Sequence, residues 1–183
     1  MDKQALRRRL LAAREVLDPA ARDAAGAAIC GVVLPSLAGL RSVGCYVAIG
    51  TEPPTHGLLT ELRGRGVEVL LPVLRPDNDL DWAPYDGRFV TGRYGLREPA
   101  AARRGAAAIS SVDAVVVPAL AVDRTGRRLG RGGGSYDRVL ARLHPGTWTV
   151  ALLYEGEVLD EVPAQPHDRS VKAAATPSGI HRF

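Results

Sequence analysis

A glycine-rich stretch in the second half of the chain contains the residue types that hold phosphate. Four of the five residues at positions 130–134 are glycine, which lets the backbone adopt a positive φ and turn its N–H groups towards anionic oxygens. Arg128 and Arg131 add guanidinium donors that match phosphate geometry. Asp137 follows at the start of a predicted helix, and its carboxylate suits Mg²⁺ beside a phosphate group. The stretch therefore predicts a phosphate-binding loop with a metal ligand next to it.

The spacing of these glycines matches neither of the common nucleotide-binding motifs. The stretch lacks the Gly-Lys-Ser/Thr of ATPases, and the dinucleotide-binding glycine pattern also fails. A simple glycine turn between a strand and a helix therefore stays open as an alternative. The flanking arginines, Tyr136 and Asp137 favour ligand binding.

Charged side chains at three other positions in the sequence could either bind a ligand or have a purely structural role. Lys3 and Arg7 are four residues apart on a predicted helix, so they can approach one anion or form a solvated basic face. Glu52 follows a buried strand, where open α/β sheets bind ligands, although an acid there can also serve the loop or a helix start. Asp168 lies in a predicted loop, where it can either contribute to a binding site or simply face solvent.

The hydrophobic pattern predicts an α/β protein. We expect helices over 3–16, from Pro19 (capped by Asp18) to about residue 34, 55–63 (capped by Thr55) and 137–143. We expect strands over 43–49, 67–74, 80–85, 113–117, 147–154 and 171–175, with a long loop after 85. Strands separated by helices pair in parallel with right-handed crossovers. Residues 1–183 thus predict a single domain with a mainly parallel central sheet flanked by helices, in a three-layer Rossmann-like arrangement.

Composition narrows the classes of partner. The formal net charge of +4 is compatible with an anionic small ligand, but no long basic run indicates nucleic-acid binding. Cys30 and Cys45 are isolated, which favours a reducing compartment over a disulfide scaffold or zinc site. No signal-type segment or stretch of about 18 apolar residues is apparent. We expect a cytoplasmic monomer that contacts neither membrane nor nucleic acid.

Residues 128–138, RLGRGGGSYDR, resemble the signature of the 5-formyltetrahydrofolate cyclo-ligases (5,10-methenyltetrahydrofolate synthetases), roughly R-L-G-x-G-x-G-x-Y-D-x-x-L. The preceding residues 117–123 resemble the family's strand and P-G-L-A-F-D segment, with Ala119 and Val122 in place of Gly and Phe. Ser135 stands where many members have a second aromatic residue. Further similarity lies in residues 3–7 (K-x-x-L-R), 94–99 (aromatic-x-[IL]-x-E-P) and 167–168 (H-D).

The resemblance implies a set of site residues. It implies contacts with ATP from Lys3, Gln4, Ala5, Leu6, Arg7, Arg128, Leu129, Gly130, Arg131, Gly132, Gly133, Gly134, Ser135 and Tyr136. It implies contacts with the folate from Val47, Glu52, Tyr94, Arg131, Gly132, Gly133, Gly134 and Ser135. It implies that Asp137 and Asp168 bind Mg²⁺ and that Arg131 and Tyr136 are catalytic. Trp82 and Tyr85 are further aromatic candidates, although core packing is the favoured interpretation of Trp82.

The implied reaction is the ATP- and Mg²⁺-dependent conversion of 5-formyltetrahydrofolate to 5,10-methenyltetrahydrofolate, with release of ADP and phosphate. In that reaction the formyl oxygen is phosphorylated and N10 then closes the ring. Two alternatives stay open. The chain can be an ATP-dependent phosphotransferase acting on another small substrate, or a folate- or nucleotide-binding protein without catalytic activity.

Overall fold

The computed structural model describes residues 2–183. Its helices are α1 (Lys3–Glu15), α2 (Pro19–Val33), α3 (His56–Gly64) and α4 (Ser135–Arg142), with 3₁₀ turns at Leu34–Leu37, Arg93–Gly95 and Ala106–Ser111. Its strands are β1 (Ser42–Gly44), β2 (Glu68–Leu74), β3 (Leu80–Pro84), β4 (Phe89–Thr91), β5 (Arg97–Pro99), β6 (Ala114–Pro118), β7 (Ala121–Asp123), β8 (Arg128–Leu129), β9 (Trp148–Leu152), β10 (Val158–Leu159), β11 (Ala173–Thr176) and β12 (Gly179–Arg182).

A seven-stranded sheet in the order β12-β11-β9-β6-β1-β2-β3 forms the centre of the fold. The inner strands from β11 to β2 pair in parallel, and β12 and β3 join the two edges in antiparallel orientation. Two small sheets, β10-β7-β8 and β4-β5, lie outside it. The predicted α/β fold with a mainly parallel central sheet is confirmed.

Helices cover both faces of this sheet because its inner strands are apolar on both sides. Val116 packs in one hydrophobic cluster with side chains of α2 and α3, including Ile29 and Leu59. Its neighbour Val115 packs in a second cluster, which includes Val139 of α4. Successive side chains of a strand point to opposite faces, so one run of valines supplies two cores and the fold has three layers.

The starts of the first two helices follow from local capping. The side chain of Asp2 accepts a hydrogen bond from the Ala5 N–H, and that of Asp18 accepts one from Ala21 N–H. Each aspartate thus satisfies an N–H group that has no partner within its helix. Pro19, at the first position of α2, loses no hydrogen bond because that N–H would be unpaired in any case. The predicted start of the second helix at Pro19, with Asp18 as its cap, is confirmed.

The prediction of a strand over 43–49 and a capping role for Thr55 was wrong in detail. β1 ends at Gly44, and residues 45–49 continue as irregular chain. The Thr55 hydroxyl accepts a hydrogen bond from the Ala48 N–H at 3.0 Å and makes no side-chain cap at α3. The N–H of Ile49 donates to the side chain of Glu52. These contacts occupy N–H groups that a longer strand would offer to its neighbour.

A buried ion pair attaches α1 to the sheet. Arg14 is only 1% exposed. Its Nε and Nη2 each donate a 2.7 Å hydrogen bond to Glu157, and Nη2 also donates to the carbonyl of Ala119 at 2.7 Å. Burial works against the charge of Arg14, but its hydrogen bonds to Glu157 and the negative charge of Glu157 outweigh this effect and raise the arginine pKa. The pair fixes the position of the helix that begins at Lys3.

The segment Pro19–Leu37 is long and apolar enough to cross a membrane by length and composition alone, contrary to the expectation that the chain contains no such apolar stretch. In the structure Ile29, Val33 and Leu37 pack in the core against the central sheet. Much of the helix's apolar character comes from alanines on its outer face. The segment is thus a covering helix of the sheet whose exposed side is unusually poor in charge.

Candidate active site

A cavity of about 420 Å³ opens at the carboxyl ends of β1, β2 and β6, where parallel sheets generally bind ligands. It is lined by Lys3, Arg7, Tyr46, Val47, Ile49, Glu52, Pro72, Leu74, Leu80, Leu96, Arg97, Glu98, Pro118, Ala119, Leu120, Arg128, Leu129, Gly130, Arg131, Gly132, Gly133, Gly134, Ser135, Tyr136, Asp137, Gln165, His167 and Asp168. The β6 side carries most of the cationic groups, and the β2–β3 side carries most of the apolar ones.

Residues 130–134, the glycine loop, form the wall between β8 and α4. Gly132 and Gly134 have φ values of 111° and 69°, which residues with a side chain rarely adopt. A Cβ at Gly132 would also lie 3.6 Å from the guanidinium carbon of Arg7. The Nε of Arg7 donates a 2.9 Å hydrogen bond to the carbonyl of Gly130, so α1 and the loop are in direct contact.

Arg128 and Asp137 meet inside the cavity. Nη2 of Arg128 donates to Oδ1 of Asp137 at 3.1 Å, and Nη1 donates to the carbonyl of Pro118 at 3.1 Å. Oδ1 also accepts from the N–H of Arg169 at 3.2 Å. Within residues 2–183, Oδ2 of Asp137 accepts no hydrogen bond. This free oxygen fits the requirement of Mg²⁺ for a carboxylate ligand that leaves room for phosphate oxygens and water.

The second predicted metal ligand has a cationic partner. Nζ of Lys3 forms an ion pair with Oδ2 of Asp168, and the N–H of Gln165 donates to the same oxygen. Burial opposes the negative charge, but the contacts with Lys3 and Gln165 outweigh it and hold the pKa of Asp168 below its ordinary value. No three His, Cys, Asp or Glu side chains cluster as a metal site anywhere in residues 2–183. A cation here therefore needs oxygens from a bound ligand as well.

Glu52 is a buried carboxylate on the opposite wall, only 7% exposed. Its Oε2 accepts from the N–H of Ile49 at 2.9 Å, and Oε1 lies 3.9 Å from Nε of Arg131. Burial raises the pKa of Glu52, and the Ile49 N–H and the charge of Arg131 only partly offset it. A buried carboxylate with limited pairing is suited to a ligand with several N–H donors.

Two tyrosines place hydroxyl groups in this region. Burial, with a smaller effect of the Glu52 charge, raises the pKa values of Tyr46 and Tyr136 well above the ordinary value. The Tyr46 hydroxyl is buried without a hydrogen-bond partner among residues 2–183. A raised pKa keeps each hydroxyl protonated, so Tyr136 is suited to donate a hydrogen bond and not to act as a base.

The sequence did not predict that Glu98 lines the cavity, or that Pro72, Leu74, Leu80 and Leu96 form an apolar wall there. Glu98 is buried, and its Oε1 accepts from the N–H of Leu74 at 3.1 Å. A Cβ on Gly92 would lie 2.1 Å from the Glu98 carboxyl carbon, so a side chain at position 92 would displace this carboxylate. The only sequence signal was the Glu-Pro pair, from which we assigned a role to Tyr94 alone. The pairing of β4 with β5 brings Glu98 to the cavity, and that pairing depends on the fold.

The structure brings together most of the predicted site residues, but not all of them. Lys3, Arg7, Val47, Glu52, Asp168 and all residues from Arg128 to Asp137 line the cavity. The remaining ones do not: Gln4, Ala5, Leu6, Tyr94, Trp82 and Tyr85. The side chain of Leu6 packs in a small core with Leu120. Tyr94 is 80% exposed, and Trp82 is fully buried.

The fold and cavity define an α/β protein with a cavity partly lined by cationic side chains at the carboxyl edge of its sheet. The chain is 40% identical over 181 residues to the 5-formyltetrahydrofolate cyclo-ligase of Mycolicibacterium smegmatis, covering 96% of this chain and 93% of the relative. It is 29% identical to the Escherichia coli K12 cyclo-ligase, covering 91% and 96%. The NMR structure of Aquifex aeolicus 5,10-methenyltetrahydrofolate synthetase superposes with a TM-score of 0.85 at 26% identity, covering 100% and 93% of the two chains. A synthetase structure from Mycoplasma pneumoniae, at 18% identity, shares the fold with a TM-score of 0.77, covering 97% and 99%.

The family model of the 5-formyltetrahydrofolate cyclo-ligases matches residues 1–177. The chain belongs to this family, and the resemblance inferred from residues 128–138 is confirmed. The prediction that the protein is an enzyme of this family, a ligase, is confirmed with it.

Proposed function

We propose that the protein uses ATP and Mg²⁺ to convert 5-formyltetrahydrofolate to 5,10-methenyltetrahydrofolate, releasing ADP and phosphate. Family membership supports the overall reaction. The observation that carries the proposal for this chain is the composition of one cavity, which combines a cationic glycine loop with a buried carboxylate and an apolar wall. A nucleotide triphosphate needs the first of these features, and a pterin needs the other two.

The phosphates of ATP are proposed to bind between α1 and the glycine loop. Lys3 and Arg7 lie on one face of α1, and Arg7 already contacts the loop through the Gly130 carbonyl. The loop N–H groups and the N-terminus of α4 add partial positive charge. Arg128 is almost fully buried beside them, which strengthens its attraction for an anion because water screens it little.

Mg²⁺ is proposed to bind at Asp137, whose Oδ2 accepts no hydrogen bond from residues 2–183, with Asp168 in the lining of the same cavity. Bound there, the ion would neutralise phosphate charge and polarise the transferred phosphoryl group. Asp168 is paired with Lys3 in this structure. We propose that ATP binding draws Lys3 to a phosphate and leaves the Asp168 carboxylate available.

The folate is proposed to bind towards β2 and β3. Val47, Leu74 and Leu80 offer an apolar surface to the flat pterin ring. Glu52 can accept two N–H hydrogen bonds from the pterin edge, since Arg131, at 3.9 Å, is the partner of its Oε1 among residues 2–183. Aligned in this way, the formyl group of the substrate would face the glycine loop and the γ-phosphate.

The chemistry proposed requires no protein nucleophile. The formyl oxygen attacks the γ-phosphorus, and ADP leaves. N10 then attacks the formyl carbon, the carbon–oxygen bond breaks, phosphate leaves, and N10 releases its proton. The protein positions the reactants and stabilises charge, which is the usual source of rate in phosphoryl transfer. Arg131 lies in the glycine loop, with its guanidinium near Glu52, and is proposed to stabilise the transferring phosphoryl group. The Tyr136 hydroxyl is proposed to donate a hydrogen bond to the same group.

The test is a direct assay of the purified protein with 5-formyltetrahydrofolate and MgATP. We expect the near-ultraviolet absorbance of methenyltetrahydrofolate to rise with stoichiometric ADP release. The rise should require both ATP and Mg²⁺. ADP release without a methenyl product would favour a phosphotransferase, and binding without either product would favour a non-catalytic protein. Monomeric state and cytoplasmic location remain predictions, and sedimentation analysis tests the first.

A further inference from the structure

A two-stranded hairpin at the cavity rim carries arginines that the proposed reaction does not use. It comprises β4, the turn at Arg93–Gly95 and β5. Arg97 both lines the cavity and is exposed to solvent, while Arg93 lies exposed in the turn. Glu98, next to Arg97, points inward and is buried. The hairpin therefore presents a carboxylate to the interior of the cavity and cationic groups to its rim.

These two arginines differ from the others in this part of the chain. Between positions 75 and 104 there are six arginines, and four have a carboxylate partner: Arg75 with Asp77, Arg88 with Asp86, Arg103 with Asp81 and Arg104 with Glu68. Arg93 and Arg97 have no such partner within residues 2–183. Their donors are free to meet an anion from outside the chain.

Arg97 is held in place although it is unpaired. Its guanidinium carbon lies 4.1 Å from the ring centroid of Phe89, the diagonal neighbour on the same face of the hairpin. Phe89 in turn packs on Tyr85, with ring centroids 4.9 Å apart. Stacking on an aromatic face restrains the guanidinium and does not use its N–H groups as hydrogen-bond donors. A side chain fixed in this way loses less conformational entropy when it binds a ligand.

We propose that Arg97, with Arg93 beside it, binds the glutamate carboxylates of the folate substrate. The inference rests on the proposed function, in which the pterin is deep in the cavity near Glu52. The substrate's anionic end is then the end opposite the pterin, and the β2–β3 side leads from Glu52 to the hairpin. Paired guanidinium and carboxylate groups form charge-assisted, often bidentate hydrogen bonds.

The experiment compares two substrates in five proteins. The substrates are 5-formyltetrahydrofolate and its bis-amide, which has the same shape but no glutamate charge. The proteins are the wild type, Arg97→Gln, Arg97→Lys, Arg93→Gln and the control Arg88→Gln, whose arginine is already paired with Asp86. Steady-state kcat and KM for each folate, and KM for ATP, are measured with MgATP.

We expect Arg97→Gln to raise KM for 5-formyltetrahydrofolate about tenfold, the loss of one charge-assisted pair at a partly exposed site, with kcat unchanged. Its KM for the bis-amide should equal the wild-type value. Arg93→Gln should show a smaller effect of the same kind, Arg97→Lys a partial rescue, and Arg88→Gln no effect. Equal losses for both folates, or a raised KM for ATP alone, would overturn the proposal.

The proposed function is tested separately, by whether the wild-type protein forms the methenyl product. If the wild type forms no methenyl product, the reaction is rejected whatever the variants do. The proposed contact between Arg97 and the glutamate carboxylates is then tested by measuring equilibrium dissociation constants of the two folates for the same proteins. A wild-type preference for the charged folate that Arg97→Gln abolishes supports it, and an unchanged preference overturns it.

Discussion

Arg128 and Asp137 are joined by a 3.1 Å hydrogen bond, so the residue predicted to bind phosphate contacts the residue predicted to bind the metal. The pair is possible because β8 and the first turn of α4 are connected only by the short glycine loop. Arg128 also holds the Pro118 carbonyl at the end of β6. One guanidinium thus ties the metal ligand to the central sheet.

Asp137→Asn should raise the Mg²⁺ concentration needed for half-maximal turnover by about tenfold or more, as is typical when a carboxylate at a metal site is altered. The amide keeps the size of the side chain and can still accept from Arg128, but it loses the charge that attracts the cation. Turnover measured against Mg²⁺ concentration gives the result. Asp160→Asn, at an exposed carboxylate, is the matched control. An unchanged Mg²⁺ dependence in Asp137→Asn would remove Asp137 from the metal site.

Arg131→Ala should lower kcat on the order of 10²-fold, the usual loss of a donor that stabilises transition-state charge. KM for ATP should change little, because Lys3, Arg7 and Arg128 remain to hold the phosphates. Initial rates at saturating folate separate the two constants. Arg127→Ala, an exposed arginine outside the cavity lining, should behave as wild type. An unchanged kcat in Arg131→Ala would exclude this role.

The sequence was sufficient for the parts of the site that are contiguous in the chain. The glycine loop could be predicted because a positive φ favours glycine, and φ is positive at Gly132 and Gly134. The extent of α1 could be predicted from its periodicity and the start of α2 from the cap at Asp18, which are local effects. The central sheet followed from apolar runs long enough to be buried on both faces.

Contacts between segments that are distant in the sequence could not be predicted from these local patterns. Lys3 and Asp168 are 165 residues apart, and nothing local indicates that they form an ion pair. Glu98 reaches the cavity only because β4 pairs with β5, in a region whose composition resembles a loop. Tyr94 was a reasonable aromatic candidate, but the turn holds it at a φ of 55° and exposes its ring. Side-chain direction in a turn depends on backbone geometry that composition does not report.

Glu52→Gln should weaken folate binding and stabilise the unliganded protein. KM for 5-formyltetrahydrofolate should rise about tenfold or more, since hydrogen bonds to a charged group are lost. The folded-state pKa of Glu52 is raised by burial, so ionisation costs the folded state free energy at neutral pH. That cost appears as pH rises through the unfolded and then the folded pKa, and it is absent in acid.

Urea unfolding at several pH values tests the stability half of this prediction. The free energy of unfolding of Glu52→Gln should exceed that of the wild type at pH 7, and the two should converge at acid pH. Glu161→Gln, at an exposed acid, is the control. A variant less stable than the wild type at pH 7 would show that the Ile49 and Arg131 contacts outweigh the cost of burial.

Asp79→Asn should loosen the attachment of α4 to the turn between β2 and β3. The side-chain hydrogen bonds of Arg142 lower the pKa of Asp79 to about 2, with burial opposing and the Leu80 N–H assisting. A lowered folded-state pKa contributes stability above the unfolded value, and that stability is lost as pH falls through about 2. We expect a loss of about 1 kcal/mol at pH 7 after solvent screening. Chemical denaturation between pH 2 and 7 should show the difference shrinking in acid, and a difference independent of pH would contradict the assignment.

Arg14→Met should destabilise the protein by about 3–5 kcal/mol, because it leaves the buried Glu157 carboxylate without its partner. The double variant Arg14→Met/Glu157→Leu should recover much of this loss, since it removes both charges at once. Denaturant unfolding of the single and double variants measures the coupling. Arg22→Met, on the neighbouring helix and partly exposed, is the control.

The same double variant separates the stability of the fold from the position of α1. Arg14 also holds the Ala119 carbonyl, which lines the cavity, and it anchors the helix that presents Lys3 and Arg7. If the ion pair serves to position α1, the double variant should regain stability yet keep a raised KM for ATP. Full recovery of both stability and KM would instead mean that packing of Leu6 and Leu10 alone is enough to place the helix.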